Sequence, residues 1–377
     1  MSESATTWHV HQGNVFDVLP TLPDASVDCC VTSPPYWGLR DYGTASWEGG
    51  DAACAHRVGG QVQDAKAPGA ITTGVRPGVD ASMCRECGAR RVDAQLGLEP
   101  TPAEYVENMV RVFREVRRVL KDDGTLWLNL GDSYAGSWGA QSRQGDTGQM
   151  SGRSVISAQQ IAAAAKRDRC TGSLTNTPGL KAKDLCGIPW RVAFALQADG
   201  WYLRSDLIWH KPNPMPESVT DRPTKAHEYL FLMSKSERYY YDKDAIADPA
   251  TNAGKVLDYP GDQKANDTDD VMQATRPKGR EITVAALRNK RTVWSICSEP
   301  YAGAHFAVMP TALVKPCVLA GCRKGGAVLD PFAGSGTVLQ VADEHGCSSI
   351  GVELNPKYVE MIVARMNAAT QQTRLAW

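Results

Sequence analysis

No run in this sequence approaches the roughly 18–20 consecutive apolar residues that a membrane-spanning helix needs, and its start lacks a basic segment followed by an apolar stretch. An excess of charge of one sign is missing too, since 41 Lys and Arg face 42 Asp and Glu for a formal net charge of -1. Global attraction to a polyanion or an anionic membrane is thereby excluded, and any nucleic acid must meet a local basic patch. The low-hydrophobicity, one-signed composition of a disordered chain is also absent, because 42% of the residues are hydrophobic and can build a core. There is no internal repeat. A disulfide framework is not indicated either: 11 cysteines without a signal peptide read as reduced thiols, some of them metal ligands. A soluble, cytoplasmic protein is expected.

What is present alternates between strands and helices. Strands are predicted over Val10 to Val15 and Val27 to Thr32, with a proline-bearing turn from Leu19 to Ala25 between them. Thr101-Pro102-Ala103-Glu104 is a capping box with proline at the first helical position. Val106, Met109, Val110, Phe113, Val116 and Leu120 then recur at helical spacing until Asp122-Asp123-Gly124. Further strands are expected at Thr125 to Leu130, Leu203 to Trp209, Tyr229 to Ser234, Ala327 to Leu329 and Ser349 to Val352. Helices are expected at Pro189 to Asp199, Thr311 to Ala320, after Thr337, and beyond the Asn355-Pro356 cap. This order implies an α/β fold with a doubly wound, mostly parallel sheet covered on both faces. A single domain spanning 1–377 carries long insertions at 44–95 and 135–182, where composition is polar or Gly-rich and no period persists.

Two constellations carry chemistry. Asp330-Pro331-Phe332-Ala333-Gly334-Ser335-Gly336-Thr337 joins a strand to a helix, placing small residues where a ligand approaches backbone amides and the positive helix end. The spacing is not Gly-x-Gly-x-x-Gly, so a dinucleotide pyrophosphate fits poorly, while Glu353 at the next strand end can accept both hydroxyls of a ribose. A nucleoside cofactor without a pyrophosphate is the natural occupant. In Ser33-Pro34-Pro35-Tyr36 two prolines fix φ twice and remove two amide donors, leaving a rigid turn with free carbonyls. A carbonyl and the Ser33 hydroxyl can accept the two hydrogens of an exocyclic amine, and Tyr36 offers a face to a flipped-out base.

Cys54-x-His56 and Cys84-x-x-Cys87-Gly88 fall inside the first insertion, which otherwise lacks a core. A Cys3His set suits a closed, structural zinc site, and no acidic general base accompanies it. Cys29 and Cys30 sit on an apolar strand and read as core. Arg276, Lys278, Arg280, Arg288, Lys290 and Arg291 form the clearest basic stretch, opposed only by Glu281.

Thr32-Ser33-Pro34-Pro35-Tyr36-Trp37 near the start and Asp330 to Thr337 near the end resemble the amino-methyltransferases of DNA. The base-handling motif precedes the cofactor loop, as in the permuted beta group. The resemblance also covers Leu128 to Ser133, Trp209-His210-Lys211-Pro212-Asn213, His227-Glu228 and His305 to Pro310. It implies a Rossmann-like fold that binds S-adenosylmethionine, with Asp330, Phe332, Gly334 and Gly336 around its methionine part and Glu353 on its ribose. Thr32, Ser335, Thr337 and Asn355 complete that set. Where family members often have Gly-Asp this chain has Gly13-Asn14, so Asn14, or Asp17 nearby, would meet the adenine amine.

The implied reaction is direct methyl transfer to an exocyclic amine of a flipped base in double-stranded DNA, with Ser33, Pro34, Pro35 and Tyr36 as catalytic residues. Serine at the head of the motif resembles the cytosine 4-amino subgroup; aspartate would resemble the adenine 6-amino one. A nucleic-acid-binding module without catalysis is the reading of another class. Trp37, Lys211, Asn213, Arg222, Arg288, Lys290 and Arg291 are the expected DNA contacts, with 242–300 as target-recognition region. A second copy of the chain and a cognate restriction endonuclease are the protein partners to look for, in a prokaryotic or phage setting. Pro316-Cys317 resembles the nucleophile of carbon-5 cytosine methyltransferases but stands in the wrong order and reads as structural.

Overall fold

A computed structural model describes residues 6–39, 42, 44–56, 61–63, 71–73, 83–84, 86–135, 179–258, 281–299 and 308–375. The 136–178 part of the second insertion, together with Arg276, Lys278, Arg280 and His305, lies outside the described residues. Eight strands drawn from nearly the whole length form one sheet: β1 (Trp8–Gln12), β2 (Val27–Thr32), β3 (Leu120–Leu130), β4 (Tyr202–His210), β5 (His227–Ser234), β6 (Val293–Ser295), β7 (Ala327–Asp330) and β8 (Ser348–Glu353). Their order across the sheet is β1-β8-β7-β2-β3-β5-β4-β6. Only β5 runs against the others, pairing antiparallel with β3 and β4. The remaining pairs are parallel.

Successive side chains of the central strands enter opposite layers, as the period of two requires. Cys30, Leu126, Leu128, Leu130, Phe231 and Met233 share one core with α2 (Pro102–Val119) and α3 (Ile188–Ala198). Cys29, Val31, Trp127, Leu230 and Leu232 share the other with α4 (Thr311–Gly321) and α5 (Thr337–Glu344). The closing helix α6 (Pro356–Leu375) lies against β1, and the short α1 (Val15–Val18) follows β1. The two-sided burial explains why β2 and β3 read as nearly continuous apolar runs.

Most elements fall where periodicity and caps place them. Thr101 accepts a hydrogen bond from the Glu104 amide at 3.2 Å and opens α2 with Pro102 at its first turn. Two boundaries differ. The first strand is Trp8–Gln12 rather than Val10 to Val15, because Asn14 turns its side chain onto the Phe16 amide at 3.0 Å and makes Val15 the start of a helix. Asp122-Asp123-Gly124 does not terminate α2; the helix ends at Val119, and these residues fall in the first part of β3, where its pairing with β2 slips between Val27 and Cys29. Cys317 lies inside α4, buried, with its thiol donating to the Leu313 carbonyl at 3.2 Å, so it is a packing residue.

Among the described residues no helix is long and apolar enough to cross a membrane. In the first insertion the described residues form two short antiparallel ribbons, Ser46–Glu48 with Arg90–Val92 and Gln61–Gln63 with Ile71–Thr73. The 242–300 region contributes two more, Asp248–Pro249 with Leu287–Arg288 and Val256–Asp258 with Glu281–Thr283. Helix α4 seats closely on the sheet at Gly321, where an added Cβ would lie 2.6 Å from Trp127 Nε1 and 2.8 Å from Cys29 Sγ. Gly321→Val is expected to destabilise the fold by about 1–3 kcal/mol, the usual cost of overpacking, as a lowered midpoint in urea denaturation.

Candidate active site

Every chemistry-bearing segment leaves the sheet on one edge, the carboxyl ends of the parallel strands and the amino end of β5. β2 and β7 are hydrogen-bonded neighbours, with Leu329 beside Cys30. The Thr32 hydroxyl donates to Asp330 Oδ1 at 2.7 Å, linking residues 298 apart in sequence. The Pro-Pro turn and the glycine loop therefore leave adjacent strand ends, the crevice in which open α/β sheets bind ligands.

On the loop side, Asp330 Oδ1 also accepts the Phe332 amide at 3.1 Å. Gly334 and Gly336 adopt φ of +53° and +78°; among the described residues an added Cβ at Gly334 would meet nothing nearer than the Phe332 carbonyl at 3.8 Å, whereas at Gly336 it would reach Ile362 at 3.1 Å. Gly334 thus faces open space and Gly336 is pressed against α6. Glu353 accepts the Gly334 amide at 2.8 Å on one oxygen and the Asn355 amide at 2.8 Å on the other. Burial pushes its carboxyl above the ordinary range, with those amides acting the other way. The remaining lone pairs of the carboxylate can still take ribose hydroxyls. Asn14, capping α1, has its carbonyl on the Phe16 amide, and Asp17 is exposed in the first turn of that helix. Ser335 and Thr337 turn their hydroxyls toward each other, at 3.3 Å, and toward Arg365, so they brace the loop from behind. Asn355 caps the Lys357 amide at 3.0 Å.

On the turn side, the Ser33 hydroxyl lies 3.2 Å from Tyr36 Oη and 3.3 Å from Asn129 Oδ1. Tyr36 Oη lies 2.9 Å from Asn129 Oδ1 and 2.7 Å from Glu228 Oε2. Glu228 is in turn paired with Lys211, whose ammonium stands 4.2 Å from the centre of the Trp209 ring. The Tyr36 ring rests on Gly131, where a Cβ would come within 2.5 Å of it. Burial, then the neighbouring Glu228 charge, hold the Tyr36 phenol well above its ordinary value, so it stays protonated. The Pro35 carbonyl accepts from the Tyr105 hydroxyl at 2.9 Å. Asp132 caps α3 through the Gly187 and Ile188 amides at 3.1 and 3.0 Å.

The expected DNA contacts separate. Trp37 is corrected: it is buried at 1% exposure with Nε1 donating to the Glu99 carbonyl at 2.9 Å, so it cannot touch a duplex. Asn213 pins the chain at Ser298, accepting its amide at 3.1 Å. Arg222 pairs with Glu217 at 2.7 Å and stacks on Tyr134. Lys290 pairs with Asp248 at 3.1 Å, Arg288 pairs in register with Asp248 in the ribbon, and Arg291 is exposed. Asn129, Glu228, Tyr105 and Gly131 received no role from sequence reasoning. The only available signal was that three of them lie in the segments that resemble the family.

The four thiol and imidazole groups converge: the ligand atoms of Cys54, His56, Cys84 and Cys87 all lie within 4.8 Å of one another. Cys54 and Cys84 sulfurs are 3.8 Å apart, and Cys87 Sγ is 3.3 Å from His56 Nδ1. These separations are close to the edge of about 3.8 Å that a tetrahedron of zinc–sulfur bonds near 2.3 Å would have. Gly88, at φ +72°, makes the turn after Cys87, its amide donating to the Cys84 carbonyl at 2.9 Å.

Burial pushes the Asp330 carboxyl from 3.8 up to about 7, against the lowering effect of the Thr32 hydroxyl and the Phe332 amide, with the Glu353 charge adding to the rise. A raised carboxyl contributes stability that is complete below its unfolded value and is lost as pH climbs through the folded one. The cofactor-free protein should therefore lose stability between about pH 4 and pH 7. Urea midpoints across that window are expected to flatten in Asp330→Asn, which keeps the acceptor and cannot ionise.

Comparison with known proteins agrees with this geometry. Residues 27–364 match the N6_N4_Mtase model, described as DNA methylase. The type II methyltransferase M.Cfr9I of Citrobacter freundii is 39% identical over 94% of this chain and 86% of its own. M.SmaI of Serratia marcescens is 40% identical over 94% of this chain and 89% of its own. Among solved structures, the PvuII DNA methyltransferase, described as cytosine-N4-specific, superposes with a TM-score of 0.51 at 15% identity, covering 96% of this chain and 86% of that one, which speaks for the fold alone. The chain belongs to the N6_N4_Mtase family of DNA methylases.

Proposed function

We propose that this chain transfers a methyl group from S-adenosylmethionine to the 4-amino group of a cytosine flipped out of duplex DNA. The observation that carries the reading is the 2.7 Å bond from Thr32 to Asp330, which sets the amine-binding turn beside the cofactor loop. The cofactor fits the residues present: Gly334 leaves room, Asp330 and Glu353 are acidic groups on adjoining strands, and the loop opens α5. When bound, S-adenosylmethionine supplies an electrophilic methyl on a sulfonium. Asp330 would offset positive charge on the methionine part, and Glu353 would receive the ribose hydroxyls.

The target amine is a weak nucleophile, because its lone pair is conjugated into the ring. Ser33 Oγ and the Pro34 carbonyl accept its two hydrogens and draw the nitrogen toward tetrahedral geometry. Rigid placement by the two prolines then supplies much of the rate advantage, as alignment does in displacement reactions. Once methylated, the target nitrogen would carry a surplus proton. A connected path leads it away: nitrogen to Ser33 Oγ, the Ser33 proton to Tyr36 Oη, and the Tyr36 proton to Glu228 Oε2, over the 3.2 and 2.7 Å contacts. Lys211 steadies the Glu228 carboxylate that receives it.

Serine at position 33 supports cytosine over adenine, following the subgroup it resembles; adenine N6 transfer is the second reading within the same family. Arg288, Lys290 and Arg291 on the 242–300 ribbons are the proposed duplex contacts, and the Cys54, His56, Cys84 and Cys87 cluster is read as a structural zinc site. Kinship to type II methyltransferases supports pairing with a cognate restriction endonuclease in a prokaryotic or phage cytoplasm.

Labelled methyl groups should appear in duplex DNA as 4-methylcytosine after digestion to nucleosides; label in 6-methyladenine alone would overturn the base assignment, and label in RNA or protein alone the DNA one. Ser33→Ala is expected to lower kcat by about a hundredfold or more with cofactor affinity little changed, since it removes an interaction with the reacting group. Glu353→Ala should weaken cofactor binding in calorimetry while sparing turnover at saturation. Glu228→Gln keeps the Tyr36 contact but not the proton sink, so its rate should fall without a change in KM for DNA. An unchanged rate would remove the relay.

A further inference from the structure

The first insertion departs from the catalytic turn and returns to it. Of the residues that follow Tyr36, 37–39, 42 and 44 are described and form the outgoing limb, and residues 93–99 lead back to the cap of α2. The two limbs are tied together along their length. The Thr44 hydroxyl donates to Asp93 Oδ1 at 2.9 Å, the Tyr42 amide to Gln95 Oε1 at 2.7 Å, the Gly38 amide to the Gly97 carbonyl at 2.8 Å, and Trp37 Nε1 to the Glu99 carbonyl at 2.9 Å.

The returning limb also presses on the turn itself. Gly97 holds φ at +92°, and a Cβ there would stand 2.9 Å from the Tyr36 carbonyl and 3.2 Å from that of Pro35. Only glycine permits this approach at this conformation.

At the far end of the limbs the described residues share little apolar burial. The Ser46–Glu48 and Arg90–Val92 ribbon is three residues long on each side, and among the described residues of 44–56 and 83–92 only Cys84 and Ala89 are buried. Beside that ribbon sits the Cys3His cluster, with Trp47 stacked on the His56 ring at 5.0 Å and Gly50 pressed against Cys87 Sγ. An isolated two-stranded ribbon of this length is at best marginally stable in water. Four-coordinate zinc closing the same loop would contribute folding free energy directly.

We propose that the metal centre in this insertion is a brace for the catalytic turn: zinc bound by Cys54, His56, Cys84 and Cys87 locks the limbs, and the locked limbs hold Gly97 against Pro35 and Tyr36. The inference rests on the zinc reading given above. It assigns the metal a positioning role in methyl transfer and no contact with substrate or cofactor. None of the four hydrogen bonds that tie the limbs involves residues 330–355, so cofactor affinity is expected to survive release of the brace.

The test uses the full chain. Elemental analysis should find one equivalent of zinc per chain, and cobalt(II) in its place should show thiolate-to-metal absorption. Cys84→Ser, or zinc removal by a chelator, should lower kcat by about a hundredfold, the scale on which a slightly misplaced reacting group costs rate. Calorimetric affinity for S-adenosylmethionine should be unchanged, and zinc added back to the stripped wild type should restore kcat. Hydrogen exchange, which needs no activity, should show faster exchange of the Gly38 amide in stripped protein.

Gly97→Ala provides the second arm: it should retain zinc and cofactor affinity and still lose turnover. Full turnover and unchanged exchange after zinc is lost would overturn the brace and leave the metal reading standing. Loss of cofactor binding together with zinc would overturn it in favour of a general structural metal. A wild type with no metal, in which Cys84→Ser is silent, would overturn the metal reading and the brace together. A zinc protein with the exchange response but no transfer to DNA would overturn the proposed reaction and keep the brace.

Discussion

The pairing of β2 with β7 is the contact on which the rest of the molecule depends. Their parallel register brings the last residues of both strands to one edge, and the hydrogen bond from Thr32 to Asp330 joins segments from opposite ends of the chain there. Parallel neighbours cannot be joined by a short turn, so a long connection must return the chain to the same edge. Here that connection carries both insertions, β3 to β6 and α4. The site exists because the sheet forces the ends of β2 and β7 to one side.

Reversal of β5 has a chemical consequence. Its amino end, not its carboxyl end, faces the crevice, which brings Glu228 to the phenol of Tyr36 while the other strands deliver their last residues. A tyrosine held at both its ring, by Gly131, and its hydroxyl, by Asn129 and Glu228, has little freedom to reorient. The same confinement keeps it neutral. The turn is held from three directions: by this network, by Tyr105 of α2 on the Pro35 carbonyl, and by Gly97 of the returning insertion limb.

Local physics made much of this legible beforehand. The Thr101-Pro102-Glu104 cap and the Asn355-Pro356 cap are satisfied by groups within a few residues, and the Asp330 to Thr337 loop shows itself by the spacing of its two positive-φ glycines, so all three can be recognised in the chain. The misplacement of β1 has the same root seen from the other side. Trp8–Gln12 is an edge strand with one partner and alternate polar residues, and Val10 to Val15 looks more strand-like until Asn14 is found capping Phe16. The place of Trp37 directly after the turn suggests a DNA contact, whereas its burial depends on a limb that returns 62 residues later.

By itself the sequence determined the alternating element order, the composition of the two motifs and the Cys54, His56, Cys84 and Cys87 set, because each shows in the residue types and their spacing along the chain. Only the tertiary structure decided that Glu228, Asn129 and Gly131 surround Tyr36, that Ser335 and Thr337 turn away toward Arg365, and that the insertion returns to press on the turn. Those outcomes follow from strand order and direction. Hydrogen bonds between distant segments form only after the sheet has chosen its neighbours, and nothing in the local chain encodes that choice.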